Sequence, residues 1–145
     1  AARDALSLYR DLVTRKASGD ITKLAGDLGT QTRIAEATND IEEMSAVLFR
    51  NFDSMMLALR EGENISLDDR ILYRYQASLV IEKSIEVVDK LFSSAGGSSV
   101  FQGSDIQQRF LDIHTARAHV ANNPTAFARN LGAVSLGAEN SDFFV

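Results

Sequence analysis

The chain has 145 residues, a common length for one domain, of which 45% are hydrophobic and 24% charged. Its formal net charge of −5 gives no support for a nucleic-acid-binding surface, and no apolar run approaches the ~20 residues that span a bilayer. The lack of cysteine excludes disulfides and thiolate chemistry, and it predicts a cytoplasmic protein.

A single proline in the whole chain favours long helices, because proline interrupts helix interiors and strands alike. Apolar residues at helical spacing predict a first helix over residues 1–16, with no capping residue before it. We interpret this uncapped start as that of a fragment of a longer chain. Gly and Asp residues predict a connection over residues 17–27, in which Thr22 or Asp27 caps the next helix.

Two long helical patterns follow this connection. Residues 28–60 keep apolar positions at helical spacing and predict the second helix. Ser66, with an acidic residue three positions later at Asp69, predicts a capping box that starts a third helix over Leu67–Ser94. The apolar positions of the third helix cover more than one face, so we expect it to touch several partners.

A glycine turn over residues 95–103 separates the third helix from the fourth. Ser104 or Asp105 is the predicted cap of the fourth helix, which we expect to run to about Asn122. The sequence thus predicts four helices joined by short turns before the last segment of the chain.

Asn123 as cap and Pro124 at the first helical position predict a short fifth helix. The tail after it has no periodicity, but the Phe-Phe-Val residues 143–145 are apolar, and we expect them to dock on a neighbouring surface. We therefore predict an all-α fold: an up-down four-helix bundle of long helices, with a short fifth helix and a tail. We expect residues 1–145 to form this bundle as a single domain.

The pair Gly96 and Gly97 has two explanations. One Gly after a helix commonly ends it by adopting a left-handed conformation. Two residues without side chains also let the backbone approach a ligand closely and offer N–H groups to a phosphate. The stretch matches neither a Walker loop nor a dinucleotide fingerprint, so both explanations stay open.

The chain has two histidines, His114 and His119. Histidine is the side chain best suited to accept a proton near neutral pH, although a lone helical His is more often a surface or core residue. A spacing of five places the two about 140° apart around a helix, which argues against a shared metal site. Glu82 and Glu86 lie one turn apart, but no Glu-x-x-His motif accompanies them, so we expect no di-iron site.

The block LFSSAGGSSVFQGSDIQQRFLDIHTARAHVANNPTAFARNLG resembles the C-terminal helical domain of the acyl-CoA dehydrogenase-like (group D) flavin-dependent monooxygenases. The resemblance is specific over about residues 77–137. These proteins are the oxygenase components of two-component systems, similar to p-hydroxyphenylacetate hydroxylase and the hydroxylases of steroid A-ring catabolism. The family has an N-terminal helical domain, a central β domain and a C-terminal four-helix bundle, and this chain resembles the bundle alone.

The resemblance implies that the whole protein binds reduced flavin, FMNH2 or FADH2, delivered by a separate reductase. It implies hydroxylation of an aromatic, typically phenolic, substrate with O2, and a tetramer with the bundles packed at its centre. It also implies that the cofactor-binding segment containing Gly96, Gly97, Ser98 and Ser99 approaches flavin across a subunit boundary.

The same resemblance implies that a His after the turn acts as the base that activates the phenol or as a hydrogen-bond donor beside the flavin. His119 is the first candidate and His114 the second. A phenol is the better nucleophile once deprotonated, and a neutral imidazole can take that proton.

Relatives often carry Arg immediately before the Asp of the last long helix. Here that position is Leu111, so a contact made there is lost or moved to Arg109.

Two other functions stay open at this point. Acyl-CoA dehydrogenases proper use oxidised FAD and often a catalytic Glu near the position of His119. No Glu lies between Glu86 and Glu139 here, which favours the oxygenase branch. The second alternative is a non-catalytic helical bundle that acts as an oligomerisation module.

Overall fold

The computed structural model describes residues 1–14, 26–97 and 99–145 in full, whereas residues 15–25 and 98 contribute only to the bounds of their helices. Over the residues whose backbone the structure describes, there are five α-helices and two short 3₁₀ turns. The α-helices are α1 (Ala2–Ala25), α2 (Leu28–Glu61), α3 (Leu67–Ser94), α4 (Asp105–Arg117) and α5 (Pro124–Ser135), and the 3₁₀ turns are Gly97–Val100 and Val120–Asn122. The part of the chain that is described contains no strand, and the predicted all-α bundle is confirmed.

Local hydrogen bonds fix the starts of three helices as the sequence predicts. The Asp27 Oδ2 atom accepts from the Thr30 N–H at 2.7 Å at the start of α2. Ser66 Oγ accepts from the Asp69 N–H at 3.1 Å and donates to Asp69 Oδ2 at 2.6 Å, which is the expected capping box of α3. Asn123 Oδ1 accepts from the N–H two residues later at 3.1 Å and caps α5.

The first connection is shorter than predicted. α1 extends to Ala25, beyond the expected end at Lys16, so only Gly26 and Asp27 separate it from α2. Thr22, the other candidate cap, lies outside the residues described in full, whereas Asp27 makes the cap.

The predicted fourth helix is also wrong in length, because α4 ends at Arg117 instead of about Asn122. The Asn122 Nδ2 group donates to the Ala116 carbonyl at 2.8 Å, the group that the Val120 N–H would use in a continued helix. His119 has extended backbone, with φ −72° and ψ 132°. The helical spacing argument that placed His119 opposite His114 therefore does not apply.

The core lies where α1, α2 and α4 meet α3. Val88 and Leu91 of α3 are fully buried, as is Ala5 of α1, and Tyr9 is 2% exposed. α3 packs against each of the other four α-helices, as the spread of its apolar residues predicts. None of the helices, over their described residues, is long and apolar enough to cross a bilayer.

The tail after α5 folds back on the chain. The buried Asn130 side chain donates to Asn140 Oδ1 at 2.8 Å and accepts from the N–H of Ser141 at 2.9 Å. Phe144 and Val145 then line a cavity between α2 and α3, so part of the predicted docking takes place within the same chain. Phe143 stays 92% exposed.

Candidate functional site

The two glycines after α3 are not equivalent. Gly96 has φ 84° and ψ 175°, a region that is essentially restricted to glycine. Gly97 opens the first 3₁₀ turn, and a Cβ atom built on it would meet nothing within 4 Å. Gly96 is therefore required by the turn itself, whereas Gly97 leaves its backbone open to an incoming group.

The hydroxyl of Ser99 is engaged inside this turn. Ser99 is 3% exposed, and its Oγ donates to the Gly96 carbonyl at 2.6 Å, which also accepts the Ser99 N–H at 2.9 Å. This hydroxyl therefore closes the turn. The side chain of Ser98, the other predicted cofactor-binding serine, lies outside the described residues.

His114 lies on α4 and is held by groups from two helices. Its Nε2 atom lies 2.8 Å from Asp89 Oδ1 on α3. The Phe110 ring lies 4.4 Å from the imidazole, centre to centre, and Phe92 stacks on Phe110 at 4.6 Å. The imidazole is half-buried, with 36% of its side chain exposed.

His119 lies beyond the end of α4 and begins the second 3₁₀ turn. Its Nδ1 atom accepts the N–H of Ala121 at 3.2 Å, and the residue is exposed. It lines a polar cavity of about 240 Å³ between α3, the end of α4 and the start of α5. Other residues that line this cavity are Glu82, Arg117, Asn122, Asn123 and Thr125.

Acidic residues of α3 face the basic end of α4. Glu82 Oε1 lies 3.8 Å from Arg117 Nη2, and Asp89 pairs with His114. The sequence analysis considered Glu82 only for a di-iron site and did not single out Asp89. Their spacing contained a signal, because Glu82, Glu86 and Asp89 recur at four and three residues and therefore share one helix face.

The structure does not bring all predicted site residues together. α4 has 13 residues and so spans about 20 Å, with the glycine turn before its start and His119 beyond its end. His114 lies between them, near the C-terminal end of α4. Among the residues that the structure describes, no group of three or more His, Cys, Asp or Glu residues is arranged to hold a metal ion.

Comparison with known proteins gives matches over most of the chain. A family model described as acyl-CoA dehydrogenase, C-terminal domain, matches residues 1–124. The oxygenase subunit HsaA of a flavin-dependent monooxygenase from Rhodococcus jostii (strain RHA1) is 29% identical over 123 residues, which is 85% of this chain and 32% of the relative. The oxygenase component of an FADH2-dependent resorcinol hydroxylase from Rhizobium sp. (strain MTP-10005) is 30% identical over 148 residues, covering 96% of this chain and 36% of the relative.

A solved structure agrees with these matches. The crystal structure of 3-HSA hydroxylase from Rhodococcus sp. RHA1 aligns with a TM-score of 0.93 at 26% identity, covering 99% of this chain and 37% of that chain. The resemblance to oxygenases with an acyl-CoA dehydrogenase-like helical domain is thereby confirmed. The chain spans about a third of the length of the curated relatives it matches.

Proposed function

The chain belongs to the acyl-CoA dehydrogenase C-terminal domain family, and on that premise we propose that it is the helical domain of a flavin-dependent monooxygenase. The longer protein hydroxylates an aromatic, phenolic substrate with reduced flavin and O2. Two observations about the relatives support this. They are named as flavin-dependent or FADH2-dependent oxygenases, and the chain covers only about a third of their length, which fits one helical domain of a longer protein.

The observation in the structure that carries the proposal is the environment of His119. Its imidazole lines a polar cavity together with Glu82 and Arg117, where α4 ends and α5 begins. Such a cavity offers both hydrogen-bond donors and hydrogen-bond acceptors to a hydroxylated aromatic ring. Its volume of about 240 Å³ is small, so the remaining walls of a substrate pocket come from the other domains of the longer protein.

We assign His119 the donor function of the two that the resemblance implies. Its Nδ1 lone pair accepts the N–H of Ala121, so a neutral imidazole carries its hydrogen on Nε2. That N–H can donate to an oxygen atom of substrate or cofactor. In this tautomer the open edge of the ring is a donor and not a proton acceptor.

Gly97 is the residue of the turn that we propose for the approach to flavin. Apart from its two chain neighbours, no residue has an atom within 4 Å of the position its Cβ would take, so its backbone has room for a cofactor. The glycine turn precedes α4 and His119 follows it, and α4 itself is about 20 Å long, so in one chain we expect the two to contact different parts of a flavin or different flavins. The bound flavin, either FMN or FAD, would supply the electrons that activate O2.

Exposed apolar residues of α2 support an oligomer. Phe49 is 66% exposed, Phe52 55% and Leu59 66%. Large apolar side chains on one long helix commonly mark an interaction surface. We propose that these surfaces pack at the centre of a homotetramer and that a separate reductase delivers the reduced flavin. A cytoplasmic location stays a prediction.

The test uses the longer protein that carries this chain, with a flavin reductase, O2 and a panel of phenols. We expect reduced-flavin binding and a hydroxylated product. His119→Ala should uncouple oxygen consumption from hydroxylation, whereas the control Thr115→Ala, an exposed position outside the cavity, should leave coupling unchanged. If the protein binds no reduced flavin and forms no product, the proposal fails and the non-catalytic oligomerisation module is favoured.

One observation favours a second candidate function, an acyl-CoA dehydrogenase that uses oxidised FAD. Glu82 lines the same cavity as His119, and a carboxylate is the base that such an enzyme needs. This candidate predicts a protein that purifies with oxidised yellow flavin and is bleached by an acyl-CoA. If the acyl-CoA bleaches the flavin of the His119→Ala variant but not that of the Glu82→Gln variant, the result would favour the dehydrogenase.

A further inference from the structure

The segment after α4 has a sequence that favours a longer helix than the structure contains. Residues 116–122 carry alanine, the strongest helix former, at three positions and include neither Gly nor Pro. The backbone nonetheless leaves the helix after Arg117, and His119 has extended dihedral angles. Because the residue before a proline disfavours helix, Pro124 would end a continued helix shortly before it. Helix and turn are therefore alternative states of residues 118–122.

The side chain of Asn122 bonds to the carbonyl that a continued helix would need. Its Nδ2 group donates to the Ala116 oxygen at 2.8 Å, and the His119 N–H donates to the same oxygen at 3.2 Å. A carbonyl oxygen has two lone pairs, so these two donors occupy it. In a continued helix, the Val120 N–H would bond to this oxygen instead. The Asn122 side chain thus stabilises the turn and opposes the helix.

The turn determines which edge of the His119 ring is free. In the turn, the Ala121 N–H donates to His119 Nδ1 at 3.2 Å, and the Asn122 N–H donates to the His119 carbonyl at 2.9 Å. In a continued helix, the Ala121 N–H would bond to the Arg117 carbonyl, four residues earlier. The imidazole would then lose the bond that leaves its hydrogen on Nε2. The backbone that carries the ring to the polar cavity would change at the same time.

We propose that Asn122 is the positioning residue of His119: its side chain selects the turn over the helix and so presents the His119 Nε2–H group to the polar cavity. Both residues line that cavity. This inference rests on the proposed monooxygenase function, in which His119 donates to an oxygen atom of substrate or cofactor. Asn122 acts through the backbone and not by contact with the substrate.

The first test measures the backbone and does not depend on the reaction. In the labelled 145-residue chain, NMR chemical shifts report helix or turn for residues 118–122, and a nitrogen–nitrogen coupling reports the hydrogen bond that His119 accepts. Asn122→Ala removes the amide and favours helix, so we expect helical shifts over this segment and loss of the coupling. Asn39→Ala is the matched control. This exposed Asn donates to Glu43 within α2, so its loss should change neither signal.

A second helix-forming variant guards against a failure to fold. Asn122→Leu places a helix former of nearly the same shape at this position and should give the same result as Asn122→Ala. Circular dichroism checks that each variant is folded. A segment that stays turned in the folded variants would overturn the selection of the turn by Asn122.

A proline substitution separates the position of His119 from the loss of the amide itself. Val120 is 74% exposed and opens the 3₁₀ turn, a first position at which proline is tolerated. Proline there cannot continue α4, and it restricts the preceding His119 to extended backbone, which is the conformation observed. Val120→Pro in the Asn122→Ala chain should therefore restore the turn without restoring the amide.

The last test measures the reaction in the longer oxygenase. One lost hydrogen bond to a charged oxygen commonly costs about tenfold in rate, so Asn122→Ala should lower hydroxylation about tenfold while oxygen consumption continues. Addition of Val120→Pro should recover most of the product formed per O2, and Asn39→Ala should behave as wild type. Recovery of the turn without recovery of product would mean that Asn122 contacts substrate or cofactor directly, and the positioning role would be wrong.

The positioning role and the proposed function fail in different ways. If wild type forms product and Asn122→Ala forms it at the same rate with its segment helical, the positioning role is wrong and the monooxygenase function stands. If wild type forms no product from any phenol, the monooxygenase function is wrong and the positioning role falls with it. In both cases the NMR measurement decides whether Asn122 selects the turn.

Discussion

The Arg74 guanidinium lies 4.1 Å from the centre of the Phe127 ring, so a cation of α3 covers an aromatic ring of α5. The same side chain reaches the tail, where its Nε atom lies 4.0 Å from Asp142 Oδ2. Neither of these two buried atoms has a hydrogen-bond partner among the described residues. Arg74 thus joins α5 and the tail to the centre of the bundle. The start of α5, including Pro124, also borders the His119 cavity.

Arg74→Met should destabilise the attachment of α5. A cation–π contact at a partly desolvated site contributes about 0.5–2 kcal/mol, and the variant also leaves Asp142 without its nearby cation. A double-mutant cycle with Phe127→Leu isolates the ring contact, and we expect a coupling free energy of about 1 kcal/mol from urea denaturation. Strictly additive effects of the two substitutions would contradict this interpretation of the pair.

Leu91→Ala should be among the most damaging substitutions in the bundle. Leu91 is fully buried near the C-terminal end of α3, so truncation leaves a cavity that costs about 2–5 kcal/mol in the free energy of unfolding. Leu57→Ala is the matched control, because Leu57 is 54% exposed and its loss should stay within about 0.5 kcal/mol. Equal losses for the two variants would mean that Leu91 is not in the core.

Gly96→Ala and Gly97→Ala should separate the structure of the turn from its function. Gly96→Ala forces a side chain into a backbone region reserved for glycine and should lower the melting temperature of the chain. Gly97→Ala meets no neighbouring atom and should leave the melting temperature unchanged.

The same pair of variants then tests flavin binding in the longer oxygenase. If the backbone at Gly97 approaches the cofactor, Gly97→Ala should weaken binding of reduced flavin measured by anaerobic titration. Unchanged affinity in a protein with unchanged stability would remove Gly97 from the cofactor site.

The stability of α2 should depend on pH through Asp27. Hydrogen bonds from Thr30, first from its backbone N–H, hold the pKa of the Asp27 carboxyl below its ordinary value of 3.8. A lowered pKa in the folded state means that the carboxylate stabilises the fold above pH 3.8. This stabilisation is lost as pH falls through the lowered pKa.

The corresponding variants are Asp27→Ala and Asp27→Asn. Asp27→Ala should melt at a lower temperature than wild type near neutral pH, and the difference should shrink below the ordinary pKa of aspartate. Asn also caps helices but does not titrate, so Asp27→Asn should show a smaller loss near neutral pH. A difference between wild type and Asp27→Ala that stays constant down to pH 2 would exclude this carboxyl as the cause.

Much of the fold was predictable because it depends on neighbours in the chain. The caps at Asp27, Ser66 and Asn123 are each completed by groups two or three residues away, and the apolar spacing that marks α2 and α3 repeats along each helix. The end of α4 was not predictable from that spacing. There the Ala118 and His119 N–H groups bond to carbonyls three residues back instead of four, and the Asn122 side chain, six residues from Ala116, donates to the carbonyl of that residue.

By itself, the sequence determined the helical fold, the helix starts and the two histidines as candidates, because these depend on residue type and local spacing. Only the tertiary structure decided what each histidine can do. The partner of His114 is Asp89, 25 residues away on another helix, and the partner of His119 is a backbone N–H exposed by the early end of α4. Which ring nitrogen keeps its lone pair depends on these partners, and residue type carries no information about them.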